Sequence, residues 1–441
     1  MRRVARGVVA LAITMLVVPA AEAQVVPVED RGRGLVYRGL GRGPAGGPCG
    51  SLYEMRADGV LVGCTHGPDP APEGVDVRER RHPEAVSAES LQATSSSSPI
   101  CHGDGQTGYR IQLIYARASD MPDRYAQYVN SFRLWAAQMD DIFSLSAEDT
   151  GGTRHIRFVH DAACVPTIER VVLPPNGDDT LTLTKRELAA QGYSRVDRKY
   201  LVWTDANIYC GIADILIDDF GGEDNIHNGS GRAPGMVARI DNGCWGQTLP
   251  SGLVEAHELV HVLGGVQPSA PHGTQNGHCT DEYDLMCYRD APGVTVQYVC
   301  GTAYTHENRL DCNHDDYFHT RPPAGSYLAT KWNTANSRFL VSNGTTSVTR
   351  ASGEPGGSVT VSGRGATPWV SYRAKMATSS AGCPTTSLVL GGTVLADSSG
   401  VIPAVSRTIP ITVTSGRRFI CFASVDDPAN DFTSPTPFTV F

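Results

Sequence analysis

Two histidines four residues apart, His257 and His261, lie in the run Leu253-Val254-Glu255-Ala256-His257-Glu258-Leu259-Val260-His261-Val262-Leu263. Ser251 is suited to cap the start of a helix here, and Gly264 or Gly265 to end it in a left-handed turn. On a helix, residues four apart stand one above the other on one face. Two imidazole nitrogens so placed reach one Zn²⁺ at about 2.0–2.1 Å. Glu258 then stands beside the metal, where a carboxylate can take a proton from an acidified water. A hydrolytic zinc centre needs three protein ligands and an open position. The third ligand must therefore come from beyond the turn at Gly264.

The N-terminus reads as a secretion signal. Arg2, Arg3 and Arg6 precede a short apolar run from Gly7 to Val18, and Ala21-Glu22-Ala23 is a small-x-small cleavage site. The run is too short for a membrane span, and no later stretch is apolar enough to be one. In the oxidising space outside the cell, the 12 cysteines read as disulfides. Their spacing suggests local pairs, Cys49 with Cys64 and Cys383 with Cys421. A net charge of −9 without a basic cluster argues against nucleic acid and anionic membranes as partners.

The pattern divides the chain into a signal (1–23), a propeptide or accessory region with a linker (24–100), a catalytic domain (101–340) and an all-β domain (341–441). Residues 24–100 are rich in Gly, Pro and Arg, look poorly structured outside one disulfide-bounded hairpin, and end in the linker Thr94-Ser95-Ser96-Ser97-Ser98-Pro99. Strands are expected at 110–115, 155–160, 200–203 and 235–240. Asp120 and Pro122 open a long helix whose Tyr125, Tyr128, Val129, Phe132, Trp135, Met139 and Ile142 recur at core spacing. Thr184-Lys185-Arg186-Glu187 is a capping box opening a helix that ends near Gly192. Together these make an α+β fold, a mixed sheet with helices packed on it. Beyond residue 340, alternating runs at 358–362, 409–413 and 419–422 suggest an Ig-like sandwich stapled by Cys383 and Cys421.

His257, Glu258, His261 and Gly264 match position by position the HExxHxxGxxH signature of the metzincin clan of zinc peptidases, which the chain resembles over 101–335. The last position of that signature is Gln267 here, a departure. Asp284-Leu285-Met286-Cys287-Tyr288 resembles the clan's Met-x-Tyr turn. The resemblance implies that Met286 floors the metal and Tyr288 stabilises the oxyanion. Leishmanolysin-like members carry an insertion before the third histidine. By that likeness His278 becomes the third ligand, ahead of His272, with Gln267, Asp281, Glu282 and Asp284 as further alternatives. The likeness also implies that Met236–Ile240 is an edge strand binding extended peptide.

Two weaker signals remain. Asp311-Cys312-Asn313-His314-Asp315-Asp316 gathers oxygen donors of the kind a hard cation such as Ca²⁺ prefers, but without the glycine and distal glutamate of an EF-hand loop it reads first as a solvated acidic turn fixed by Cys312. Gly63-Cys64-Thr65-His66-Gly67-Pro68-Asp69 resembles a cysteine switch, in competition with a Cys49–Cys64 disulfide. The expected function is a secreted zinc endopeptidase acting on protein or peptide substrates. The alternative is a catalytically silent binding protein with a structural zinc site, its C-terminal domain attached to cell wall or glycan.

Overall fold

The computed structural model describes residues 28–441 except 31–32, 45, 73, 88–98, 100–101, 250–251, 303–306, 343, 380–382, 398–399, 427 and 429–430. The signal at 1–23, the serines of the linker, Cys101 and Ser251 lie outside the described residues.

The region before residue 100 is ordered where described. Strands β1 (Leu40–Arg42), β2 (Tyr53–Ala57) and β3 (Val60–Thr65) form an antiparallel sheet. Asp58 and Gly59 both take positive φ, 50° and 81°, as a two-residue hairpin turn requires. Cys49 and Cys64 are bonded to each other.

A five-stranded sheet follows, made of β4 (Arg110–Ala118), β5 (Ile168–Leu173), β6 (Arg198–Thr204), β7 (Gly211–Ala213) and β8 (Val237–Asp241), in the order β7-β8-β6-β4-β5. All neighbours are parallel except β7, which runs antiparallel to β8. The edge on this side is thus β7. The expectation of an edge at Met236–Ile240 is corrected: β8 is covered by β6 on one side and β7 on the other. The segment 155–160 forms only a two-residue strand, His155–Ile156, paired with Leu340–Val341.

Side-chain alternation sends Leu113, Tyr115, Leu201, Trp203, Ala238 and Ile240 to one face of the sheet. There α1 (Tyr125–Asp149) packs with Tyr128, Phe132, Trp135, Met139 and Ile142, and Phe132 stacks on Trp203 at 4.6 Å. The helix begins later than Asp120 and Pro122 suggest, because Arg124 occupies the N-cap. The alternate residues Ile114, Ala116, Tyr200 and Val202 meet α2 (Leu181–Ala190) and Met55 of β2 on the other face. Thr180, not Thr184, caps α2, its side chain accepting from Leu183 N–H at 3.1 Å. Thr184 lies inside the helix, where its hydroxyl bonds the Thr180 carbonyl. The capping-box pattern is therefore offset by one turn from the real start.

The helix α3 (Val254–Val262) packs on the α1 face and is buried along its whole length. Leu253 is its N-cap and offers no side-chain hydrogen bond. Trp203 and the backbone of Gly246 bond Glu255 in the first turn instead, at 3.0 and 2.7 Å. Gly264 then turns the chain at φ 94°, against Trp332 and His227, where a side chain would collide.

Toward the C-terminus, β9 (Thr345–Val348), β11 (Ser358–Arg364) and β14 (Ile402–Thr408) form one sheet. A second sheet contains β10 (Ser352–Gly353), β12 (Ser371–Ala377), β13 (Leu388–Leu395), β15 (Gly416–Ser424) and β16 (Thr436–Val440). Val359, Val361, Tyr372, Leu390, Ile420 and Phe422 share one core between them. Residues 409–413 are not a strand: the chain turns at Pro410, leaving Ile411 81% exposed. Disulfides join Cys49–Cys64, Cys210–Cys244, Cys279–Cys287, Cys300–Cys312 and Cys383–Cys421 among the described residues. No described helix is long and apolar enough to cross a membrane.

Candidate metal centre

His257 and His261 rise from one face of α3 with their Nε2 atoms 3.1 Å apart. His257 Nδ1 lies 2.7 Å from the Leu285 carbonyl and His261 Nδ1 3.1 Å from that of Gly265. A carbonyl only accepts, so both Nδ1 atoms donate, and both Nε2 atoms are the ones left facing the centre. His278 is oriented in the same manner, its Nδ1 3.2 Å from the Asp290 carboxylate. Its ring lies 4.9 Å from that of His261 and 5.4 Å from that of His257. All three histidines are buried.

The loop after α3 delivers His278 through local constraints. Gly277 takes φ 90° against the His261 ring. Cys279 is bonded to Cys287, eight residues on, which holds His278 and Tyr288 side by side with ring centroids 4.4 Å apart. Met286 is fully buried. Asp284 pins this turn by accepting from Met286 N–H, Cys312 N–H and the Tyr317 hydroxyl, each at 2.6 Å.

The alternatives for a third ligand point elsewhere. Gln267 is a buried structural amide: its Nε2 donates to the carbonyls of Leu216 and Gly264, and its Oε1 accepts from Asp218 N–H. His272 pairs with Asp316, 3.2 Å away, as part of a separate group with Asp281 and Asp315. Asp311 does not join that group. Its carboxylate accepts from the backbone N–H groups of Asp315, Asp316, Tyr317 and Phe318, which organises the loop.

Two residues that sequence reasoning assigned no role stand in the centre, His66 and Asp69. Cys64 is in a disulfide, so the cysteine switch is excluded. The stretch singled out for that cysteine instead sends in its neighbours. Asp69 Oδ2 is 3.1 Å from His257 Nε2, Oδ1 is 3.4 Å from His278 Nε2, and the Tyr288 hydroxyl donates to Oδ1. Gly67 at φ 105° turns the chain between them, and Pro68 and Pro70 flank Asp69. His66 stacks on His261 at 3.8 Å, and its Nε2 accepts from Ala213 N–H at 3.0 Å and lies 3.2 Å from Glu258 Oε2.

Glu258 is buried, and burial first, then the Asp69 charge, pushes its pKa well above the usual carboxylate range. Its Oε1 faces Gly211, where any side chain would overlap it. The absence of a Cβ on the edge strand therefore makes the space for this carboxylate.

The side chains fit a metal ion. His66, Asp69, His261 and His278 converge as one candidate group, and Asp69, His257 and Glu258 as another sharing Asp69. Where these imidazoles and carboxylates meet, three buried polar atoms make no hydrogen bond: Asp69 Oδ2, His66 Nδ1 and Glu258 Oε1. Buried polar groups are costly unless satisfied, and a cation among them satisfies the set. Nitrogen-rich donors with one carboxylate are suited to Zn²⁺ rather than Ca²⁺ or Mg²⁺. The Nδ1–H bonds to Leu285, Gly265 and Asp290 are the outer contacts that fix ligand orientation in such centres.

No family model matches the chain, and no curated protein matches it. Among solved structures, it aligns with wild-type OgpA from Akkermansia muciniphila over 78% of this chain and 96% of that one, at 12% identity and TM-score 0.25. Catalytically inactive OgpA in complex with an O-glycopeptide (glycodrosocin) substrate aligns over the same shares at 11% identity and TM-score 0.25. CHIR-AB1 aligns over 22% of this chain and 98% of its own, at 11% identity and TM-score 0.16. Overlap at this level does not define a shared fold, and the chemistry of this chain follows from its own side chains.

Proposed function

We propose that the chain is a secreted zinc-dependent endopeptidase whose metal is held by Nε2 of His257, His261 and His278, with Glu258 as general base and Tyr288 as oxyanion stabiliser. The convergence of three Nδ1-anchored imidazoles beside Glu258 carries this reading. A bound zinc supplies Lewis acidity toward a scissile carbonyl and lowers the pKa of a water. Glu258 Oε1, free of partners, is placed to take a proton and hand it to the leaving amine. The high pKa that burial gives this carboxylate suits it to hold a proton between those steps. The Tyr288 hydroxyl, fixed beside His278, donates to a carboxylate oxygen in this structure, and by the same geometry to an oxyanion there. An extended peptide would pair with β7, the last strand of the sheet beside Glu258, along which residues 64–69 lie in this structure.

In this reading residues 101–340 are the catalytic domain and 341–441 a β-sandwich that contacts cell wall or glycan. The five disulfides among the described residues support an extracellular setting. One observation favours a second reading. Asp69 stands where a substrate oxygen or water would, and a fully occupied set of protein ligands is the mark of a structural zinc. Cleavage of a mixed peptide library, by the full chain and by a chain cut between Asp69 and β4, separates the two. Zinc-dependent cleavage abolished by Glu258→Ala supports the peptidase. No cleavage by either form, with zinc bound, supports the structural site.

A further inference from the structure

The loop that carries His278 is a narrow hairpin. Gly273 and Cys279 are bridged antiparallel, Thr274 N–H donates to the His278 carbonyl at 2.6 Å, and the Thr280 hydroxyl donates to the His272 carbonyl at 3.3 Å. His278 stands near the tip. At the base, His272 and Asp281 face each other, with Nδ1 3.5 Å from Oδ2.

The turn at 311–316 brings two more carboxylates to that base. His272 Nδ1 lies 3.2 Å from Asp316 Oδ2 and 3.6 Å from Asp315 Oδ1. One nitrogen and three carboxylate oxygens thus lie within 4.8 Å of one another. The donors come from two loops that are fixed separately. The Cys279–Cys287 disulfide holds the hairpin, and Cys300–Cys312 with the backbone bonds to Asp311 holds the turn.

The protein does not satisfy this set by itself. The Asp281 side chain is 4% exposed and that of Asp316 1%. Asp281 Oδ1 lies 3.4 Å from Cys287 Sγ, a disulfide sulfur with no proton to donate. Asp315 Oδ1, turned toward His272, makes no hydrogen bond. One imidazole N–H cannot serve three carboxylates. Burial, then the Asp311 and Asp281 charges, raises the Asp316 pKa, and burial raises that of Asp281, so bare negative charge is costly here. The half-exposed Asp315 and His272 leave a way in from solvent. Ca²⁺ takes oxygen ligands, whereas a nitrogen beside carboxylates suits Mn²⁺ or Zn²⁺.

We propose that His272, Asp281, Asp315 and Asp316 form a second site, for a divalent transition-metal ion of the Mn²⁺ or Zn²⁺ kind, and that this ion locks the base of the hairpin presenting His278. The site stands on its own donors, while its effect on His278 rests on the zinc-peptidase reading.

The test uses the full chain carrying one equivalent of Zn²⁺ and titrated with Mn²⁺. The electron paramagnetic resonance signal of free Mn²⁺ counts the bound ion, and electron spin-echo modulation reports a coordinated nitrogen. Samples are wild type, Asp281→Asn, Asp316→Asn, His272→Asn, and His257→Ala/His261→Ala, which dismantles the centre on α3. One Mn²⁺ with one nitrogen is expected in wild type and in the α3 variant. Both Asp variants are expected to bind at least about 10-fold more weakly, the smallest loss usual even for a residue that only bonds a ligand. His272→Asn is expected to lose the nitrogen signal. Equal Mn²⁺ binding by wild type and Asp281→Asn, or loss of Mn²⁺ from the α3 variant, overturns the second site.

Thermal unfolding separates ligation from packing. Without Mn²⁺, Asp281→Asn is expected to unfold no lower than wild type, because the amide relieves facing carboxylates, and Mn²⁺ is expected to stabilise only the wild type. A variant that unfolds equally far below wild type with and without Mn²⁺ makes the cluster structural and overturns the site. Zinc release to a zinc-selective chelator is expected to slow when Mn²⁺ is bound, in wild type and not in Asp281→Asn; an unchanged rate overturns the lock on His278. Mn²⁺ binding in samples that hold no zinc overturns the zinc-peptidase reading and leaves the second site standing.

Discussion

The Tyr288 hydroxyl lies 3.1 Å from His278 Nε2, and the disulfide between Cys279 and Cys287 joins the residues next to each of them. The proposed metal ligand and the proposed oxyanion donor are thereby fixed by one covalent staple. The staple closes a loop of only eight residues in sequence, so it serves local geometry more than global stability.

Asp290 fixes His278 from the other side, at 3.2 Å from Nδ1. Asp290→Ala removes the acceptor that orients the imidazole. Zinc affinity is expected to fall about 10–100-fold, as for other outer contacts of metal ligands. Competition with a fluorescent chelator measures it; unchanged affinity would show that the loop alone orients His278.

Gly211 makes room for Glu258. Gly211→Ala is expected to retain zinc and displace the carboxylate, lowering kcat about 100-fold, the scale of a 1 Å misplacement. Steady-state kinetics beside metal analysis on the cut chain decide this. Normal turnover would mean that Glu258 does not work from the position seen here.

Gln267 holds three hydrogen bonds at the signature position where a histidine is missing. Gln267→Ala is expected to leave zinc content unchanged and to destabilise the fold by about 1–3 kcal/mol for each buried partner left unsatisfied. Loss of zinc at intact stability would return Gln267 to the ligand set.

Lys199, buried in β6 against Met236 and Phe339, has its pKa lowered by burial from 10.5 to about 7. The unfolded chain holds this proton up to 10.5 while the folded chain gives it up near 7. Between those values the unfolded state binds more protons, so the lysine's contribution to stability rises with pH. Lys199→Met is expected to raise Tm by several degrees at pH 6 and to flatten the dependence above pH 7. Thermal unfolding across pH 6–10 checks it; an unchanged slope would mean that the ammonium finds water.

The placement of His257, Glu258 and His261 on α3 was legible because helical spacing alone sets them beside one another. The core of α1 and the central strand β6 were legible for the same reason, since period and burial coincide there. The Cys49–Cys64 and Cys383–Cys421 pairs were legible from proximity along the chain. The edge strand was misplaced because β7 is three residues long and carries no pattern of its own. Residues 409–413 alternate like a strand, yet Pro410 leaves the ladder there. Asp69 was missed for a different reason. Nothing local marks it, and only the pairing of residues 64–69 with β7 brings it to His257, 188 positions away by subtraction of their numbers.

Zinc content by elemental mass spectrometry, after dialysis against a chelator, tests the centre most directly when wild type, Glu258→Ala and His278→Ala are measured together. One zinc per chain is expected in the first two, because the role proposed for Glu258 is to move protons and not to hold the metal, and almost none in the third. Full zinc in His278→Ala would contradict the three-histidine centre, and no zinc in any of the three would contradict a metal site on this helix altogether.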